Sequence, residues 1–140
     1  MKRRPEQVHL ARQWIAKAEE DLLTAEHTLT LREHCPAGTV CFHAQQCVEK
    51  YLKALLTLRG VEFPKTHDLV LLRNRLGSGS GLDLEMEDLQ SLNRYSVEAR
   101  YPGDWEPIDI EEASESVEKA RRVREAVRKV LPEDVLQGEA

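Results

Sequence analysis

Phe42 to Leu72 reads F-H-A-Q-Q-C-V-E-K-Y-L-K-A-L-L-T-L-R-G-V-E-F-P-K-T-H-D-L-V-L-L. Val40, Ala44, Cys47, Val48, Tyr51, Leu55 and Leu58 recur at spacings of three and four, and Leu52 and Leu56 broaden the stripe. That period predicts an amphipathic helix over about 37–59. Gly60 is placed to stop it as a left-handed cap. A short extended link around Pro64 follows, and Thr66 is a plausible N-cap for a third, shorter helix ending near Leu76. One flank of the long helix carries His43, Gln46, Lys50, Lys53 and Thr57, again stepping by three and four. Lys50 and Lys53 are like charges on neighbouring turns, which costs on the order of 0.3 kcal/mol in an isolated helix. An anion or an acidic partner surface would reverse the sign.

Working outward, Ala11, Trp14, Ala18, Leu22, Ala25 and Leu29 form a heptad-like seam, which predicts a helix from about Glu6 to Leu31. Gly77-Ser78-Gly79-Ser80-Gly81 is a flexible linker, because the Lys-Ser/Thr end and preceding strand of a phosphate loop are missing. A fourth helix is expected over about 84–99. Asp109 and Glu112 form a capping box for a fifth that runs to Leu131 and stops at Pro132. No strand pattern and no solenoid repeat emerges. The expected architecture is all-α: an up-and-down antiparallel bundle of four main helices plus a short fifth. The expected domain spans 6–131, with 132–140 as a C-terminal tail.

At 140 residues, 41% hydrophobic and 32% charged, the chain fits one soluble domain. The net charge of −5 argues against a general nucleic-acid coat protein. It averages two unlike regions: 50–75 holds six Lys/Arg against two Asp/Glu, and 83–118 holds two against twelve. No apolar run approaches the roughly 18 residues of a membrane span, and none follows the Met-Lys-Arg-Arg-Pro start, so neither a span nor a signal peptide is expected. Three cysteines, an odd number, suggest a reducing cytoplasm. Cys41 and Cys47 lie about 240° apart around one helix and no Cys-x2-Cys exists, so no metal site and no cofactor is expected.

H-A-Q-Q-C-V-E-K-Y-L-K-A-L-L, then R-G-V-E-F-P-K-T-H-D-L, then S-V-E-A-R-Y-P resemble the HEPN family (higher eukaryotes and prokaryotes nucleotide-binding domain) from about Ala11 to Val130. The resemblance implies a helical bundle, a homodimer, and a small nucleotidyltransferase partner in a toxin–antitoxin-like pair. Some members are metal-independent endoribonucleases with an Arg followed four to six residues later by His. Here Arg94 is followed by Tyr95, Ser96, Val97, Glu98, Ala99, Arg100 and Tyr101, so that histidine is missing. Attack by a ribose 2′-hydroxyl needs a base near neutral pKa, and an arginine cannot accept the proton.

The expectation is therefore a non-catalytic homodimeric module that binds nucleotide or RNA phosphate and acts with a nucleotidyltransferase. The candidate contacts are His43, Gln46, Lys50, Lys53, His67, Arg94, Arg100 and Tyr101. The alternatives are an endoribonuclease toxin whose base is His67 or His43, or a pure scaffold. Each residue also has a structural reading. The helix stripe can be a solvated flank, Thr66 and Asp68 can serve as caps, and Arg94 and Arg100 can pair with local acids. The homodimer is also motivated by the second helix, which is apolar on more than one flank.

Overall fold

A computed structural model describes residues 4–96 and 107–137. The elements are α1 (Pro5–Leu29), a 3-10 turn (Arg32–His34), α2 (Ala37–Leu58), α3 (Leu69–Leu76), α4 (Met86–Asn93), α5 (Ile110–Val130) and α6 (Glu133–Leu136). No strand occurs among the described residues. The helices form an all-α bundle, as the periodicity predicts.

Cross-helix contacts fix the directions. Glu19 meets Tyr51 and Trp14 meets Lys53, so α1 and α2 run antiparallel. Asp88 meets Arg122 and Arg94 meets Glu112, so α4 and α5 do too. Glu26 meets Arg121 and Glu19 meets Arg124, which sets α5 against α1. The chain thus alternates up and down through α1, α2, α4 and α5. The long layer is α1, α2 and α5, because α4 has eight residues, like α3.

α2 sits at the centre, against α1 on one side and α5, α3 and α4 on the others. Val40, Ala44, Cys47, Val48, Tyr51, Leu52, Leu55 and Leu56 are fully buried. A helix apolar on several flanks belongs inside a fold. Its extra flank is covered within one chain, so it gives no separate motive for a dimer. α2 ends in a Schellman motif: Val61 N donates to Leu56 O, Gly60 N donates to Thr57 O, and Gly60 takes φ +69°.

Four local expectations change. The N-cap of α3 is Asp68, not Thr66: Asp68 Oδ1 accepts from Val70 N and Leu71 N, while Thr66 Oγ1 accepts from Asp68 N. Asp68 wins because it stands directly before the first turn, where one carboxylate oxygen reaches two free helical N–H groups. α4 does not continue toward 99. It closes at Asn93 with shorter i→i−3 bonds from Tyr95 N and Ser96 N, and 97–106 lie outside the described residues. Asp109 Oδ1 does accept from Glu112 N, but the Glu112 carboxylate does not reach back; it bonds Tyr95 and Arg94 instead. Finally, the segment after Pro132 begins with α6, whose Val135 is fully buried. Arg12 latches it through bonds to Val135 O and Asp134 O.

Candidate functional site

Every third or fourth residue of α2 from His43 onward is a candidate anion contact on spacing alone. The fold splits that stripe between two buried carboxylates. Asp21 on α1 takes the first pair: His43 Nδ1 lies 2.8 Å from its Oδ1 and Lys50 Nζ 2.5 Å from its Oδ2. Glu49 on α2 takes the second group. Lys53 Nζ lies 3.0 Å from Oε2, while His67 Nδ1 at 2.8 Å and the amides of Gln45 and Gln46 at 3.3 Å converge on Oε1.

The consequence for phosphate is direct. The Lys53 side chain is 9% exposed, with its ammonium 5.5 Å from the Trp14 ring centre and 5.9 Å from that of Phe63. Burial, with the Glu49 pair, leaves it little surface to offer an anion. Lys50 is 21% exposed and already neutralised by Asp21. Two charges that look unpaired along the sequence each have an acid across or along the helix. The Glu49–Lys53 spacing of four could have signalled one pair; the Asp21 pair needs the packing of α1 on α2.

His67 is different. Its side chain is 61% exposed while Nδ1 is tied to Glu49, whose side chain is 4% exposed. Its backbone oxygen accepts from Gln45 Nε2 at 2.9 Å, so both ring and backbone are anchored to α2.

Arg94, at the C-cap of α4, is 64% exposed and held. Its Nη2 donates to Glu112 Oε2 at 2.9 Å and lies 3.3 Å from Tyr95 Oη. Its guanidinium carbon lies 5.4 Å from the Tyr95 ring centre. Tyr95 Oη also donates to Glu112 Oε2. Burial, then that hydrogen bond, pushes the Tyr95 phenol up, so it stays protonated at neutral pH. Behind it, Ser116 Oγ donates to the buried Cys41 thiol, whose pKa burial also raises.

Asn93 joins these two places. Its Oδ1 accepts from Leu69 N at 2.8 Å and its Nδ2 donates to Asp68 Oδ1 at 3.0 Å. His67 and Arg94 are thus chain neighbours of residues in direct contact. Arg100 and Tyr101 lie outside the described residues.

The arginines of α5 are occupied in holding helices together. Arg124 makes two bonds to Glu19 at 2.7 and 2.9 Å, Arg122 two to Asp88 at 3.0 Å, and Arg121 bonds Glu26 and Glu118. A cleft of about 610 Å³ on the outer side of α5 is lined by Glu111, Glu115 and Glu118 with Lys119 and Arg122, an acidic excess unsuited to phosphate. No group of three or more His, Cys, Asp or Glu among the described residues is arranged to hold a metal ion. No helix among them is long and apolar enough to cross a membrane.

Residues 11–130 match the sequence model of the HEPN domain. The chain is 31% identical over 146 residues to "Putative toxin MJ1304" of Methanocaldococcus jannaschii, covering 90% of this chain and 91% of that one. The fold is similar to the crystal structure of TT1696 from Thermus thermophilus, with a TM-score of 0.71, 27% identity, and coverage of 86% of this chain and 98% of that one. It is also similar to ST0689, an archaeal HEPN homologue, with a TM-score of 0.65, 25% identity, and coverage of 94% and 100%.

Proposed function

The chain belongs to the HEPN domain family, and on that premise we propose that it is a non-catalytic binding module of a toxin–antitoxin-like pair. It grips a nucleotide or RNA phosphate through Arg94. One observation carries this reading: Arg94 is fixed by Glu112 and Tyr95 yet 64% exposed. Among the described residues its polar partners are met through Nη2, and a side chain so exposed can turn an edge of its guanidinium to an oxyanion. Arginine forks match phosphate geometry, and pre-ordering lowers the entropy lost on binding.

Catalysis lacks support at this place. Among the described residues Arg94 touches a protonated phenol and a carboxylate that already accepts from two donors, and no imidazole, the usual taker of a hydroxyl proton. The similarity to a protein named as a toxin favours a role in a toxin–antitoxin-like pair. A small nucleotidyltransferase and a second copy of the chain are the proposed partners. Three free cysteines, two of them buried, favour a reducing cytoplasm as the compartment.

The test is fluorescence anisotropy of a short labelled single-stranded RNA at low salt with chelator present, using wild type and Arg94→Ala. Losing one charge-assisted contact predicts roughly 10- to 100-fold weaker binding. The salt slope should fall by about 0.7, the share of one single-strand phosphate. Unchanged affinity would refute the grip. Rapid cleavage of the probe by wild type would refute the non-catalytic assignment. Co-expression with a small nucleotidyltransferase and light scattering of the pure chain address the two partners.

A further inference from the structure

Of the six cations between 50 and 75, Lys50 and Lys53 are neutralised by Asp21 and Glu49. The other four, Arg59, Lys65, Arg73 and Arg75, make no ion pair among the described residues. The fold gathers them at one corner. Arg59 caps α2, Lys65 stands in the link that follows, and Arg73 and Arg75 close α3. Arg75 Nη1 donates to Glu62 O at 3.3 Å, which lays the end of α3 against that link. Glu62 is three positions from Arg59 and three from Lys65, so both lie within about 11 Å of it along the backbone. Helix ends favour Arg59, Arg73 and Arg75 one by one, but Lys65 belongs to no helix, and the four still repel one another. Two acids share the segment. Asp68 is occupied by the α3 cap and by Asn93, which leaves Glu62 alone against four cations.

The shape of the corner selects the kind of partner. Residues 61–65 are outside any helix, with Val61 and Phe63 packed against the core and Glu62, Pro64 and Lys65 exposed. The N–H groups of Glu62, Phe63 and Lys65 donate to no oxygen of the described residues. An extended polypeptide can offer its carbonyls to such donors while its carboxylates meet the cations. Three of the four cations are arginines, whose planar fork matches a carboxylate. A single-stranded nucleic acid matches less well, because its bases stack on exposed rings. Phe63 is the one Phe, Tyr or Trp within 59–76, and it packs inward, with the Lys53 ammonium 5.9 Å from its ring centre.

We propose that this corner docks an extended acidic segment of another protein. The surface is separate from the Arg94 grip and does not rest on it. Arg94 meets the first turn of α5, which lies beside the N-terminal half of α2 through Ser116 and Cys41, whereas the corner is at the C-terminal end of α2.

The experiment measures anisotropy of fluorescein-labelled decaglutamate, which its own charge keeps extended, with decaglutamine as the neutral control. The proteins are wild type, a corner variant (Arg59→Gln with Lys65→Gln) and a control variant (Lys17→Gln with Lys129→Gln). The corner pair makes no side-chain hydrogen bond or ion pair among the described residues, so its removal leaves the fold intact, as circular dichroism melting checks. The control pair removes the same charge from exposed sites elsewhere. Wild type is expected to bind decaglutamate and not decaglutamine, more weakly as salt rises. The corner variant should bind it roughly three- to thirtyfold more weakly, the worth of two exposed ion pairs, and the control within about twofold of wild type. A short oligouridylate should lose no more affinity in the corner variant than in the control. No binding of decaglutamate by wild type, or equal weakening in both variants, overturns the proposal. So does a larger loss for oligouridylate than for the peptide in the corner variant, which makes the corner a nucleic-acid surface. Self-association in light scattering that only the corner variant abolishes assigns the corner to a second copy of the chain and overturns it too.

Discussion

Glu49→Ala isolates the most demanding electrostatic contact in the fold. The carboxylate is 4% exposed and its partner Lys53 is 9% exposed. Breaking a buried pair by removing one side costs about 3–5 kcal/mol, because the remaining charge stays buried and uncompensated. Two features reduce that here. Trp14 and Phe63 face the ammonium and together return about 1 kcal/mol of cation–π attraction. Gln45 and Gln46 keep other partners, in His67 O and in Gln45 Oε1 respectively. A net loss of about 2–4 kcal/mol follows, against a typical total of about 5–15. For a domain of this size it corresponds to a fall in Tm of roughly 8–15 °C. Urea unfolding followed by far-UV circular dichroism measures it directly. The double variant Glu49→Leu with Lys53→Met removes both charges, so its cost should be about 1 kcal/mol or more below the sum of the singles. A Glu49→Ala loss below about 1 kcal/mol, or strict additivity in the double variant, would show that water or rearrangement neutralises Lys53 and that the pair is not the tie its burial implies.

Glu19 makes a pH-dependent contribution. Burial pushes its carboxyl up, but bonds from Arg124 and Tyr51 with the Arg124 and Arg128 charges outweigh that and leave it below its ordinary 4.5. A depressed folded pKa gives stability that is fully present above the unfolded value and lost as pH falls through the folded one. The stability gap between wild type and Glu19→Gln, read from urea melts at stepped pH, should therefore close on acidification below 4.5. Cys41 and Cys47 are fully buried and Cys35 is partly exposed, with burial raising all three thiols. A thiol reagent should label Cys35 first and the other two only on unfolding; three equal rates would contradict the packing. Gly60→Ala forces a Cβ onto φ +69° and to 2.9 Å from Gln7 Nε2. It should lower stability by about 1–2 kcal/mol, less for Gly60→Asn, as read by thermal melting.

The helices were legible because each carries its own apolar period, and α2 betrays its central place by being apolar on several flanks. The ends of α3 and α4 were less so. Thr66 and Asp68 both qualify as caps, and only the geometry of the link chooses between them. The tight exit after Asn93 depends on a side chain that reaches another helix, which no local pattern records. The site was legible in residue type more than in role. Lys50 and Lys53 read as available cations because their neutralising acids, Asp21 and Glu49, face them only after packing. The capping pair at Asp109 and Glu112 was half visible. The half that was missed, Glu112 on Arg94 and Tyr95, is the half that builds the site.

The antiparallel pairing of α1 with α2 also bears on the order in which the chain folds. Only residues 30–36 separate these helices, whereas α5 meets α1 through Arg124 and Glu19 across more than a hundred positions. Closing a short loop costs less entropy than closing a long one, and neighbouring contacts speed folding. The α1–α2 hairpin, with Asp21 bridging His43 and Lys50, is therefore the expected nucleus, and the docking of α5 the late step. Stopped-flow kinetics would express this as a slowed refolding rate for Asp21→Ala, and a mainly accelerated unfolding rate for Arg124→Ala. The reverse partition would place the nucleus at α5. With the nucleus at α1–α2, the ion pairs differ in timing as well as in location: one set joins helices while the chain is still open, and the other seals it.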